Sequence, residues 1–160
     1  MTTKYITLLI YHCFFSYLIS GLSTTGIMRL TVNQNKTILT SDSYCENCGY
    51  IIPLLNQFPI FSYLFNKGRC KNCGASIPVI QFILECTVFV SQLIIGFIFE
   101  FEKKSFVFCF IFYELLKVVI VIIRGRRKHD FILQLIFSFF YDLVIFGMGY
   151  TFCYVISLFI

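Results

Sequence analysis

The sequence predicts an all-α multi-pass membrane protein with about four transmembrane helices, and three observations predict it. Hydrophobic residues make up 58% of the 160 and charged residues only 13%, with 21 Phe and no Trp. That leaves too little polar surface for a water-soluble domain of this length, whereas lipid as solvent lets the outward faces be apolar. The apolar residues are gathered into blocks, and the longest polar stretch, 29–78, separates the first block from the rest.

The blocks set the helices in order. Residues 5–23 hold no charge, 79–99 hold only Glu85, 105–123 hold Glu114 and Lys117, and 131–160 hold only Asp142. Crossing roughly 30 Å of hydrocarbon takes about 20 helical residues, which each block supplies. The first helix is expected over 5–28 and the second over 79–99. A secretory signal would also begin with a Lys before an apolar run. This run is longer than a signal core, and Ser20-Gly21-Leu22-Ser23 is a poor cleavage site, so a retained helix is expected. The last block has 30 residues, enough for one tilted helix with an overhang and short for two.

Sidedness follows from the basic residues. Arg29, Lys36, Lys67, Arg69 and Lys71 lie in the first long loop, and Arg124, Arg126, Arg127 and Lys128 lie between the third and fourth helices; the opposite side has Lys4, Lys103 and Lys104. With four helices the two basic loops share a face, and the positive-inside rule places that face in the cytoplasm with both termini outside. The run 124–128 then anchors the topology on anionic headgroups. The net charge of +5 is therefore a membrane signature; no nucleic-acid partner is expected.

Eight cysteines are present, of which Cys13, Cys86, Cys109 and Cys153 sit within apolar runs and act as small hydrophobes. The other four form two knuckles, Tyr44-Cys-Glu-Asn-Cys-Gly49 and Arg69-Cys-Lys-Asn-Cys-Gly74, separated by 21 residues. A Cys-x-x-Cys turn brings two sulfurs to one side, and the following Gly lets the chain fold beneath them. Two such turns offer four thiolates in a tetrahedron, the geometry of a closed structural zinc site. Cys45, Cys48, Cys70 and Cys73 are thus the expected zinc ligands. Two disulfides would need an oxidising compartment, against the charge bias, and no βαβ pattern supports a thioredoxin-like pair. Between the knuckles, Ile51 to Leu64 is apolar, with Pro53 and Pro59 preventing one continuous helix. It should lie against the bilayer or the helix bundle.

These residues resemble a known pattern. Cys45/Cys48, Ile52-Pro53, Asn56-Gln-Phe-Pro59-Ile-Phe-Ser62-Tyr63, Gly68-Arg69-Cys70/Cys73-Gly74, Ile77-Pro78 and Glu85 follow the order found in the N-terminal domain of type 4 prepilin peptidases. Gly21-Leu-Ser-Thr-Thr-Gly-Ile-Met-Arg29 is similar to the family's small-residue first helix that ends in Arg. The resemblance implies an N-terminal domain over 1–100, with its cysteine loop at 29–78, in a bacterial inner membrane. It also implies a role in prepilin or pseudopilin processing for pili, competence or type II secretion, in which a basic leader is cut after Gly at the membrane boundary and some members methylate the new N-terminus.

The half expected to carry the chemistry, 101–160, departs from that pattern. Family cleavage uses two aspartates, one ending a helix and one in G-x-G-D, so that one carboxylate serves as base and the other as acid. Here Arg124-Gly125 stands at the first position. The nearest string to the second is Gly147-Met-Gly149-Tyr150. Glu114 and Asp142 are intramembrane acids of similar depth, with Lys117 one turn from Glu114, and read as a structural ion pair. Asp130 and Asp142 are the only acids that suggest a displaced catalytic pair. His12 reads as packing and His129 as surface charge, and no nucleotide or methyl-donor motif is visible. Three expectations result: a truncated or degenerate homologue that binds prepilins or complements a separate catalytic subunit, an active peptidase with displaced acids, or a membrane-anchored zinc module unconnected to pilins.

Overall fold

The computed structural model describes residues 2–31, 43–45, 47–53, 56–124 and 131–159. The candidate Asp130 and the basic residues Lys36, Arg126, Arg127, Lys128 and His129 lie outside the described residues. The described residues form five helices and no extended strand: α1 (Thr2–Thr31), α2 (Phe61–Phe65), α3 (Val79–Ile98), α4 (Lys103–Arg124) and α5 (Phe131–Phe159). Four of them, all but α2, are long and apolar enough to cross a membrane. In lipid a helix satisfies its own backbone polar groups, so an apolar run of this length has no competing local structure. The last block is one helix of 29 residues, about 43 Å at 1.5 Å per residue. It exceeds the hydrocarbon thickness, as a tilted or overhanging span does.

The bundle is organised on α1, which packs against α3, α4 and α5. Its inward face carries Ser16, Ser20, Ser23 and Thr24, all buried. Small side chains let neighbouring helices approach closely where no hydrophobic effect drives them together. The main core joins Ile19 and Ile27 of α1 to Leu84 and Val88 of α3, Cys109 and Tyr113 of α4, and Phe146 of α5. A second cluster at the other end of the bundle joins Leu8, Phe101, Phe106 and Cys153. The outward sides of the helices are lined with exposed residues such as Ile10, Phe14, Ile94, Ile122 and Val144, as a lipid-facing surface requires.

A tight connection between α3 and α4 closes this second end. Glu100 and Phe101 both adopt positive φ, 54° and 56°, and the Phe101 N–H donates to Gly96 O at 2.7 Å. A left-handed conformation is unfavourable for a residue with a side chain. Packing holds it, because the fully buried Phe101 ring sits edge-on to Tyr5, His12 and Phe97 at 4.8–5.6 Å. His12, as expected from sequence, is a packing residue: Nε2 lies 3.1 Å from Gln92 O and Nδ1 lies 3.3 Å from Ser105 Oγ. A Cβ on Gly96 would lie 2.7 Å from His12 Nε2 and 2.8 Å from a Phe101 carbon. Gly96→Leu should therefore push α3 off α1 and cost about 1–3 kcal/mol, read as a lowered midpoint of thermal unfolding in detergent; Gly147→Ala, where no neighbour is within 4 Å, should change it little.

Candidate metal centre

The two knuckles fold in the same way because their sequences repeat. In the first, Tyr44 pairs with Ile51 in a single antiparallel bridge, Cys45 N–H donates to Tyr50 O at 2.9 Å, and Gly49 N–H donates to Cys45 O at 2.9 Å. In the second, Arg69 pairs with Ser76, Cys70 N–H donates to Ala75 O at 2.8 Å, and Gly74 N–H donates to Cys70 O at 2.9 Å. The turn-closing glycines have φ of 70° and 71°, a region open to Gly at no steric cost.

The four sulfurs meet. Cys45, Cys48, Cys70 and Cys73 have their Sγ atoms all within 4.8 Å of one another, and Cys45 and Cys73 are 3.8 Å apart. That separation equals the edge of a tetrahedron whose arms are about 2.3 Å, the zinc–thiolate length. It is well beyond the sulfur–sulfur bond of about 2.05 Å, and all eight cysteines are free. The knuckles also brace each other. Asn47 Nδ2 of the first donates to Cys73 Sγ of the second, and Asn72 Nδ2 of the second donates to Cys48 Sγ of the first, both at 3.6 Å.

Hydrogen-bond donors bias Cys73 and Cys70 toward the ionised form that metals bind. The Ala75 N–H and the Asn47 amide pull Cys73 down to about 6. Cys70 is also lowered, by the N–H groups of Cys73 and Asn72. Cys45 receives the N–H groups of Cys48 and Asn47, yet desolvation together with the adjoining Cys70 and Cys48 sulfurs raises it to about 11. Four thiolates at this spacing repel one another, so the cluster ionises fully only around a cation. The asparagines were not singled out from sequence; their signal was the Asn repeated before the second Cys of each knuckle.

The segment between the knuckles is bound into the bundle. The Tyr17 hydroxyl of α1 donates to Pro59 O at 2.9 Å, and a Cβ at Gly21 would overlap the Pro59 ring. The Ile60 N–H donates to Glu85 Oε2 of α3 at 2.7 Å, while Gln81 Nε2 approaches the other carboxylate oxygen at 3.4 Å. Tyr63 stacks on Phe82 at 4.7 Å. Between this segment, the knuckles and helices α1, α3 and α5 lies a cavity of about 1420 Å³. Glu85 and Asp142 reach it, beside Leu22, Thr25 and Gly26 of α1.

Asp142 and Glu114 are brought together by one cation. Lys117 Nζ is 2.8 Å from Glu114 and 2.9 Å from Asp142, and it also donates to Ser138 Oγ at 3.2 Å. This is the ion-pair arrangement expected for these residues, with Lys117 serving both acids.

The family description "bacterial peptidase A24 N-terminal domain" matches residues 7–99. No curated protein and no solved structure matches the chain.

Proposed function

Because this chain belongs to the bacterial peptidase A24 N-terminal domain family, we propose that it serves prepilin processing as a zinc-clamped membrane subunit that engages the leader and does not cut it alone. The cysteine loop faces the cytoplasm of a bacterial inner membrane, where Lys67, Arg69 and Lys71 satisfy the positive-inside rule. There Cys45, Cys48, Cys70 and Cys73 would hold one zinc ion. It would neutralise the four thiolates and fix the connection between α1 and α3, as a closed four-thiolate site does without taking part in chemistry.

The observation that carries this reading is the cavity beside that clamp. Its apolar α1 wall suits an incoming transmembrane helix, with Gly26 and Thr25 allowing close approach. Glu85 places a carboxylate at this cavity, toward the basic leader. Against cleavage by this chain alone, Asp142 is held by Lys117, Arg124-Gly125 stands where the resemblance leads one to expect the first aspartate, and the nearest string to G-x-G-D is Gly147-Met-Gly149-Tyr150. A separate catalytic subunit would supply the acid and base. The second reading, an active peptidase with displaced acids, rests on Asp142 reaching the cavity.

Co-expression with a prepilin, with a photo-crosslinking side chain at Leu22, separates the two. The expected result is an uncut prepilin crosslinked to the chain. Mature pilin that disappears on Asp142→Asn would establish the active reading; no crosslink and no cleavage would remove both.

A further inference from the structure

The segment between the knuckles is not a surface loop. Its Pro59–Phe61 turn is anchored on Tyr17, whose ring lies 5.7 Å from Phe61 and 6.2 Å from Phe89 of α3, and on Glu85. Tyr17 lies about 16 Å along α1 from Met28, and Glu85 and Phe89 lie about 9 and 15 Å along α3 from Val79. With both helices crossing the bilayer, these anchors put the turn about 9–16 Å in from the cysteine-loop ends of α1 and α3, within the leaflet on that side. Non-helical backbone at that depth is tolerated where protein groups satisfy it. The Glu85 carboxylate and the Tyr17 hydroxyl do so here for Ile60 N–H and Pro59 O.

The segment presents exposed apolar side chains: Leu64 is 54% and Phe65 82% exposed, and Phe61 and Phe65 stack at 6.2 Å beside Tyr17 of α1. Within it opens a pocket of about 480 Å³, in the size range of ligand sites. Its lining is divided by polarity. Tyr17, Phe61 and Phe65 form an aromatic wall, and Asn56, Asn66 and Lys71 form a polar rim under the second knuckle. Lys71 Nζ donates to Asn56 Oδ1 at 2.8 Å, which uses one of its three donors. Among the described residues no acid pairs with it.

We propose that this pocket is a phospholipid site, with an acyl chain along the Tyr17–Phe61–Phe65 wall and an anionic headgroup phosphate at Lys71, Asn56 and Asn66. The occupant is a lipid because the wall is exposed and aromatic on a membrane protein, and an anionic one because the rim carries Lys71, with which no acid among the described residues pairs. The bound lipid would tie the zinc-clamped loop to the leaflet. This inference requires only the membrane placement of α1 and α3 and is independent of prepilin engagement.

The chain has no tryptophan, so Phe65→Trp makes a single reporter in the full-length protein. It is reconstituted in vesicles carrying brominated phosphatidylcholine or brominated phosphatidylglycerol at equal mole fraction in unlabelled phosphatidylcholine. The expected result is blue-shifted emission, with half-quenching at about fivefold less brominated phosphatidylglycerol than brominated phosphatidylcholine, a preference that Lys71→Gln abolishes. Emission typical of water, unquenched by either lipid, would overturn the proposal. Equal quenching by both lipids would overturn it as well, as would a preference that survives Lys71→Gln. Circular dichroism checks that the reporter variant keeps its helices; if it does not, Phe58→Trp gives the same readout from the same pocket.

Discussion

Replacing Cys70 by Ser should lower bound zinc in the purified protein from about one ion per chain to near none. Metal binding to such sites is worth on the order of 10 kcal/mol, and a hydroxyl is a poor substitute for a thiolate. Cys86→Ser, on the lipid-spanning α3 and away from the cluster, should leave the metal content unchanged. The measurement is elemental analysis after dialysis, combined with counting of maleimide-reactive thiols in the folded protein, which should rise as Cys45, Cys48 and Cys73 become reactive. Acid should act in the same direction. The Ala75 N–H and the Asn47 amide lower Cys73 to about 6 in the folded chain, so above that pH it is ready to bind, whereas below it protons compete for this sulfur too. Zinc retention should therefore fall as pH is lowered, because protons and the metal compete for the same four sulfurs. A chain that keeps its zinc after Cys70→Ser, or that shows two disulfides by mass before reduction, would refute the clamp.

The second large effect is expected at Lys117. Its ammonium is fully buried and is shared by Glu114 and Asp142 at 2.8 and 2.9 Å. Lys117→Met would leave two acids inside the bundle with no counter-charge. Removing one partner from a buried ion pair typically costs about 3–5 kcal/mol, because the remaining charge is stranded in a low dielectric. The expected outcome is a chain that unfolds at much lower temperature in detergent, or fails to accumulate in the membrane. If charge compensation is the cause, the triple variant Lys117→Met, Glu114→Gln, Asp142→Asn should recover most of the loss. Destabilisation that the triple variant does not repair would instead assign the effect to packing of the Lys117 stem, which lies beside the Tyr113 ring at 5.4 Å from nitrogen to centroid.

The same cation bears on function. An acid–base pair needs one carboxylate free to accept a proton and the other free to give one. Glu114 and Asp142 are both committed to one ammonium. Sequence spacing put Lys117 one turn from Glu114 on α4 and at a depth to neutralise either acid; that it serves Glu114, Asp142 and Ser138 together depends on how two helices rotate against each other.

The cysteine knuckles show the opposite balance. Each is a local structure, a bridge and two turn hydrogen bonds closed by a glycine at positive φ, and all of it is encoded within eight residues. Their spacing was enough to expect that the sulfurs converge. The cross-donation from Asn47 and Asn72 was less visible, because an asparagine between two cysteines can point either way until the partner knuckle is placed. The inter-knuckle segment was legible only as apolar and broken by proline. Its descent between α1 and α3 is decided by the Tyr17–Pro59, Gly21–Pro59 and Glu85–Ile60 contacts, which join residues 25 to 42 positions apart.

By itself, then, the sequence determined the four spans and the two knuckles, because hydrocarbon burial and turn geometry act over a few residues and leave no alternative. Only the tertiary structure decided which polar groups meet inside the bundle, how the linking segment seats against α1 and α3 and where the cavities open. Those depend on helix rotation and on contacts between distant residues, for which a periodic run of apolar side chains carries no address.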